Sequence, residues 1–191
     1  MRVAWLRAGL CLAILGRAAA EEPPPAVKKV LALFDQLHQA ELAERPAALL
    51  LRESDLNEYL SYSLREAPRP GLESVRVKIF PHNYVSTFAV VDFDAIEQWR
   101  PGAVPALLRP ALRGKKTVWT DFRFRAQEGR LTFRIEKAYF QNLRLPPLLA
   151  EKLLELIAAQ QPEGYDVSRP IPLPYGLRQV WTEPQRLHLL R

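Results

Sequence analysis

Apolar and polar positions along the chain change period several times, and each change marks an element. From Ala26 to about Ala43, Val27, Val30, Leu31, Phe34 and Leu37 recur at the spacing of one helical face. Pro46 ends that helix or sits just past it. Ala47–Leu51 is a brief apolar run after a proline and reads as a strand. Ser54, as N-cap with Asp55 beside it in the first turn, opens a second helix with a stripe of Leu56, Tyr59, Leu60 and Leu64. The APRPG run at 67–71 stops it.

The period then shortens to two. Val75, Val77 and Ile79 alternate with Arg76 and Lys78, Pro81-His82-Asn83 makes a turn, and the chain returns through Tyr84–Phe93. That return strand is apolar in both phases: Val85, Ala89, Val91 and Phe93 share one side, and Tyr84, Phe88 and Val90 the other. The pattern predicts that both sides are covered. Asp94-Ala-Ile-Glu97 has the form of a capping box, so a short helix carrying Trp99 is expected to start at Asp94, with Asp92 closing the strand.

A 17-residue irregular stretch, Arg100–Lys116, contains two proline-led fragments, PALLR and PALR. A second hairpin follows. Val118, Phe122 and Phe124 alternate with Trp119, Asp121, Arg123 and Arg125, Gln127-Glu128-Gly129 turns, and Leu131, Phe133 and Ile135 alternate with Arg130, Thr132, Arg134 and Glu136. Pro146-Pro147 leads a helix whose main stripe is Leu149, Leu153, Leu156 and Ile157, widened by Leu148 and Leu154. A proline-rich crossing over 162–174 precedes a hairpin-like tail holding Leu177, Val180, Trp181, Leu187, Leu189 and Leu190. Strands joined by short turns, with the helices kept apart from them, predict an α+β domain with an antiparallel sheet.

Composition changes the picture at the N-terminus. Arg2 and Arg7 precede the apolar run Ala8–Leu15, and Ala18-Ala19-Ala20 has the small-residue form of a cleavage site, so residues 1–20 read as a signal peptide. The run is shorter than the roughly 20 residues that span a bilayer. Residues 21–25, EEPPP, form a stiff leader, and 26–191 read as one domain. The expected location is periplasmic or extracellular, soluble or peripheral. The single cysteine, Cys11, lies within the signal, so the mature chain has no disulfide. Arg2, Arg7 and Arg17 account for three of the 27 basic residues and no acid precedes Glu21, which lowers the net charge from +6 to +3 on cleavage. That mild bias argues for no nucleic-acid partner.

Catalytic equipment is hard to find. His38, His82 and His188 fall on a helix, a turn and a terminal strand, without metal-ligand spacing. Asp92 and Asp94 have the spacing of an acid–base pair but are better explained as strand end and cap. No nucleophile motif, P-loop or dinucleotide turn occurs, so neither an enzyme nor a cofactor is expected. Arg109, Arg113, Lys115 and Lys116, beside Leu107, Leu108 and Leu112, form the densest basic cluster. Two readings of it stand: contact with phospholipid headgroups, or an ordinary solvated loop. Pro170, Pro172 and Pro174 are expected to block a sheet edge.

The apolar surplus is the more suggestive feature. It predicts a groove for an apolar ligand lined by Tyr59, Leu60, Phe88, Val90, Phe122, Phe124, Phe133, Ile135, Leu153, Leu156 and Ile157. The alternative is a sheet simply packed by helices on both faces.

The segments ESDLNEYL at 53–60, PGLESVRVKI, NYVSTFAVVDFDAI, LPPLLAEKLLELI and PLPYGL resemble the tubular lipid-binding envelope proteins, the TULIP-like (YceB/LmeA-like) group. The resemblance spans about residues 54–177. It implies a curved antiparallel sheet of hairpins wrapping or packing on amphipathic helices, and an apolar groove for acyl chains. That group shares no catalytic residues, so none is carried over. Together these readings predict an exported, non-enzymatic binder of lipid or another apolar ligand, acting at the membrane surface; the alternative is an envelope protein-interaction or scaffolding module.

Overall fold

The computed structural model describes residues 22–102, 104, 106, 109–159 and 169–191, with side chains at all of these except 111, 153, 154 and 156–159. The segment 1–20, Leu107, Leu108 and residues 160–168 of the proline-rich crossing lie outside the described residues. In chain order come α1 (Pro25–Leu42), β1 (Ala48–Arg52), α2 (Glu53–Glu66), β2 (Leu72–Phe80), β3 (Tyr84–Asp92) and α3 (Phe93–Trp99). The single turn α4 (Arg109–Leu112), β4 (Lys115–Gln127), β5 (Arg130–Phe140), β6 (Leu143–Arg144) and α5 (Pro147–Ala159) follow. β7 (Ile171–Pro172), a 3₁₀ turn (Pro174–Gly176), β8 (Gln179–Glu183) and β9 (Arg186–Leu190) complete the chain.

The fold is α+β with one curved, unclosed antiparallel sheet. Its strands run β1-β9-β8-β4-β3-β2, and β5 pairs with β4 while carrying β6 and β7. Both hairpins form where period-two alternation places them. Each turns on two residues in the left-handed region, His82 and Asn83 in the first (φ 62° and 57°), Glu128 and Gly129 in the second (φ 52° and 74°). Asn83 has a second task. Its Oδ1 accepts from Thr182 N at 2.9 Å, and its own N–H donates to Thr182 Oγ1 at 2.7 Å, tying the first turn to β8. The β8–β9 hairpin brings β1 into the sheet, with Leu51 opposite Leu187. Pro172 sits in the short outer strand β7, where its missing N–H costs the sheet nothing.

The inner face of the sheet carries the core. Val85, Phe124, Ala126, Val180 and Leu189 pack with Leu37 of α1 and with Tyr175. At the other end Val91 and Val118 pack with Phe93 and Ile96 of α3 and with Val104 and Leu112. Phe93 and Ile96 are almost wholly enclosed, and burial of each contributes about 1.5–3 kcal/mol. A third cluster joins Val27 and Val30 to Leu51 and Tyr59, so α1 is the helix that links two clusters.

Two helix starts differ from expectation. Ser54 is not a cap: α2 begins at Glu53, and Arg52, two residues before Ser54, occupies the N-cap position without a side-chain bond. The sheet decides this, because Glu53 Oε2 accepts from Ile79 N at 2.6 Å and draws the first turn onto β2. At α3 the cap is Asp92 and not Asp94. Asp92 Oδ1 accepts from Asp94 N (3.0 Å) and Ala95 N (3.1 Å). Glu97 is thereby free to reach forward and accept from Gly102 N (2.9 Å) and Val104 N (3.0 Å).

Candidate functional site

Strand phase decides which of the predicted groove residues meet. Phe122 stands opposite Val85 and Ile135, and Phe124 opposite Phe133, so all four predicted aromatic and aliphatic positions of the second hairpin face inward. Phe124 is core, with Phe122 and Phe133 against it, their rings 6.0 Å apart edge to face. Tyr59 belongs to the separate α1–α2 cluster, and Leu60 is half-buried on α2. Phe88 and Val90 point the other way, to the outer face, and do not join the rest. The prediction that both sides of β3 are covered fails at Phe88, which is 43% exposed. The side chains of Leu153, Leu156 and Ile157 lie outside the described residues.

One group of apolar residues not absorbed by the core lies around α5. This helix touches β5, and Ala150 is enclosed, the one buried side chain of α5 among the described residues. Leu149, expected on the inward stripe, is 55% exposed, Leu148 is 66% exposed, and Leu143 of β6 is 68% exposed. At the root of α5 a cleft of about 290 Å³ opens between the helix and β5. Ile135, Ala138, Leu145, Pro146, Pro147 and Ala150 line it, with Glu136, Lys137 and Arg144 at its rim. Its size is at the lower end of ligand pockets, which run roughly 300–1,000 Å³.

Two local features make that cleft. β6 pairs with β5 only at Tyr139 and Phe140, and β7 only at Arg130 and Leu131, so among the described residues no strand covers the middle of that edge. The β4–β5 register also slips between Asp121–Lys137 and Phe122–Ile135, which leaves Glu136 as an extra residue on β5. Glu136 accepts from Arg134 (2.8 Å) and lies 3.5 Å from Arg123. The bond from Arg134, with the charges of both arginines, holds its carboxyl below the ordinary glutamate range.

A second hollow, of about 370 Å³, lies over α3 and α4, with Phe93, Val104 and Leu112 at its base. Arg109 pairs across it with Glu97 at 2.9 Å. The predicted basic cluster is therefore divided. Arg109 is held by Glu97, Lys115 is bound to Glu73 at 2.5 Å, Lys116 is half-buried on β4, and Arg113 is exposed. Leu112, expected beside these cations at a lipid surface, is buried core. His38, His82 and His188 stand on α1, in the β2–β3 turn and on β9, where His188 stacks on Trp181 at 4.8 Å.

The outer face holds what the period-two reading passed over. Trp119, which phase alone places on the wet side, and Tyr139, which lies beyond the residues read as the second hairpin, stand beside Phe88 in one cross-strand row. A large aromatic out of phase with the core is the sequence signal that marks Trp119, whereas Tyr139 keeps the phase of Leu131, Phe133 and Ile135 and reaches the outer face through the extra residue at Glu136. Beneath the row, Asp121 is buried and accepts from Ser86 Oγ (2.5 Å) and Trp119 Nε1 (2.9 Å). Burial and the Asp121 carboxylate raise the Tyr84 phenol above its ordinary value.

Comparison of the chain with protein-family models, with curated proteins and with solved structures gives no match in any of the three.

Proposed function

We propose that the chain is an exported, non-enzymatic binding protein for an apolar ligand of the acyl-lipid class, held where α5 meets β5. One observation carries this. A helix of sequence PLLAEKLLELIAA stands against β5, exposes Leu148 and Leu149, and leaves an apolar cleft at its root. A helix this apolar ordinarily buries its stripe. Here the cleft floor of Ile135, Ala138 and Ala150 suits methylene groups, and Lys137 and Arg144 at the rim suit an anionic headgroup. The resemblance of five segments to tubular lipid-binding envelope proteins, and the signal-like residues 1–20, agree with this reading.

The test is native mass spectrometry of the full chain purified from its exported fraction, followed by lipid extraction. One acyl lipid per chain is expected, together with loss of that lipid in Ala150→Trp, which fills the cleft. Empty protein that also fails to bind a fluorescent fatty acid overturns the reading. A photo-crosslinker at position 148 that captures one discrete protein, with no lipid bound, favours the scaffolding alternative instead.

A further inference from the structure

On the outer face of the sheet, one register row crosses five strands: Arg76, Phe88, Trp119, Tyr139 and Arg144. Three aromatic rings thus stand side by side with a guanidinium at each end. Phe88 is 43% and Trp119 47% exposed, in a protein whose core aromatics Phe93 and Phe124 are buried. The next row, Lys78–Ser86–Asp121–Lys137, adds two cations over a buried carboxylate. Arg76, Lys137 and Arg144 have no ion-pair partner among the described residues, and Lys78 lies over the Phe80 ring at 5.4 Å.

The row is held in place from below. Trp119 Nε1 donates to Ser86 Oγ (2.5 Å) and to Asp121 Oδ1 (2.9 Å), so the polar atom of the indole is turned into the protein and its hydrocarbon rim outward. Tyr139 leans on Trp119 at 5.7 Å and 38°. A solvated indole has no need of that inward anchor. An apolar ridge bracketed by free cations fits one kind of partner, a layer that is apolar within and anionic at its surface.

We propose that this face docks the protein on an anionic phospholipid bilayer, with Phe88, Trp119 and Tyr139 entering the headgroup–acyl boundary and Arg76, Lys78, Lys137 and Arg144 meeting lipid phosphates. The charge complementarity selects an anionic surface. The ridge selects a bilayer over nucleic acid: the Trp119 and Tyr139 rings lean on each other at 5.7 Å and 38°, whereas base stacking uses separate, open ring faces. This docking shares Lys137 and Arg144 with the rim of the cleft beside α5, but Arg76, Lys78, Phe88 and Trp119 lie outside that cleft, and variants at those positions separate the two readings.

The experiment is co-sedimentation of the purified full chain with phosphatidylcholine vesicles containing or lacking 30% phosphatidylglycerol, with bromine-labelled acyl chains as tryptophan quenchers. Salt-sensitive binding to the anionic vesicles alone is expected. It weakens at least tenfold in Phe88→Ser and in the double variant Arg76→Glu, Lys78→Glu, and quenching falls in Trp119→Phe. Leu42→Ser, an exposed leucine at the end of α1, binds as the parent does. The charge variants alter exposed side chains outside the α5 cleft, and circular dichroism confirms that each variant is folded. Unchanged binding in the folded Phe88 and charge variants overturns the proposal. So does absence of vesicle binding with capture of single-stranded oligonucleotide, or with self-association that Phe88→Ser abolishes. A protein that co-purifies with lipid yet ignores vesicles refutes this docking and leaves the α5 reading standing.

Discussion

Asn57 holds the backbone of Val77 at both of its polar ends. Its Nδ2 donates to Val77 O and its Oδ1 accepts from Val77 N, each at 2.7 Å. β2 ends the strand order, so its outward amides would otherwise stand open to pair with another chain. With Glu53 on Ile79 N, one helical face supplies in side chains what a further strand would supply in backbone. Asn57→Ala leaves a half-buried donor and acceptor without partners, and a loss of about 1–3 kcal/mol is expected in urea unfolding. Faster hydrogen exchange at Val77 and concentration-dependent association should accompany it. Normal exchange at that amide would show that α2 does not guard the edge.

Gly71 sits where the chain enters β2 with φ +75°, and a Cβ there would lie 2.2 Å from Ile96 Cγ1 and 2.7 Å from Asp92 O. Its carbonyl also accepts from Asp92 N at 2.7 Å, which joins the start of β2 to the cap of α3. Gly71→Ala combines a left-handed backbone, about 1–2 kcal/mol, with overpacking against Ile96, about 1–3 kcal/mol. A fall in stability of about 2–5 kcal/mol is expected by thermal unfolding. Adding Ile96→Val to the Gly71→Ala chain should recover part of the overpacking but none of the backbone strain.

These contacts show what period and spacing convey. The second hairpin was legible because Val118, Phe122 and Phe124 keep one phase over a half-buried face and Glu128-Gly129 turns as its residue types demand. Periodicity assigns residues to a common side, but not the element that covers that side. Hence Phe88 and Val90 entered the same list as Phe122 although the sheet separates them. Leu149 failed for a related reason: the sequence places it on a stripe, but at the described root of α5 the neighbour is β5, and Leu149 stays 55% exposed. Ser54 and Asp94 are good caps by residue type. Long-range bonds shifted one start, through Glu53 to Ile79, and Asp92 took the other. The β1–β9 pairing and the cleft at the Glu136 bulge depend on contacts between distant segments that no local pattern encodes.

Glu97 makes the stretch after α3 sensitive to acid. Bonds from the amides of Gly102 and then Val104, with the Arg109 charge, hold its carboxyl below the ordinary value near 4.5. The folded state therefore prefers the carboxylate, and its contribution is fully present above the ordinary glutamate range. It is lost as pH falls through the lowered folded value. Amide shifts of Gly102 and Val104 should follow one titration with a midpoint below 4.5, and Glu97→Gln should abolish it. A midpoint at or above the ordinary value would contradict the bonding pattern.

Arg191 gathers segments that are remote in sequence. Its Nη1 donates to Arg45 O at 2.5 Å, its Nε to Tyr175 O at 3.1 Å, and its Nη2 to Glu41 O at 3.4 Å. One guanidinium thereby serves a carbonyl in the last turn of α1, one just beyond it, and one in the 3₁₀ turn where Tyr175 takes a positive φ of 55°. Carbonyls at a helix end need such donors, and the planar fork supplies several from a fixed position. The backbone N–H of Arg191 still donates to Ala47 O at 2.8 Å, so substitution removes the side-chain bonds and keeps the strand pairing. Arg191→Ala should lower stability by about 1–3 kcal/mol, since a charged donor is lost from three acceptors. Arg191→Lys should recover only part of this, because an ammonium cannot reach all three carbonyls in that fork. Urea unfolding of the two variants side by side is the measurement, and full rescue by lysine would show that charge, not geometry, holds the segments together.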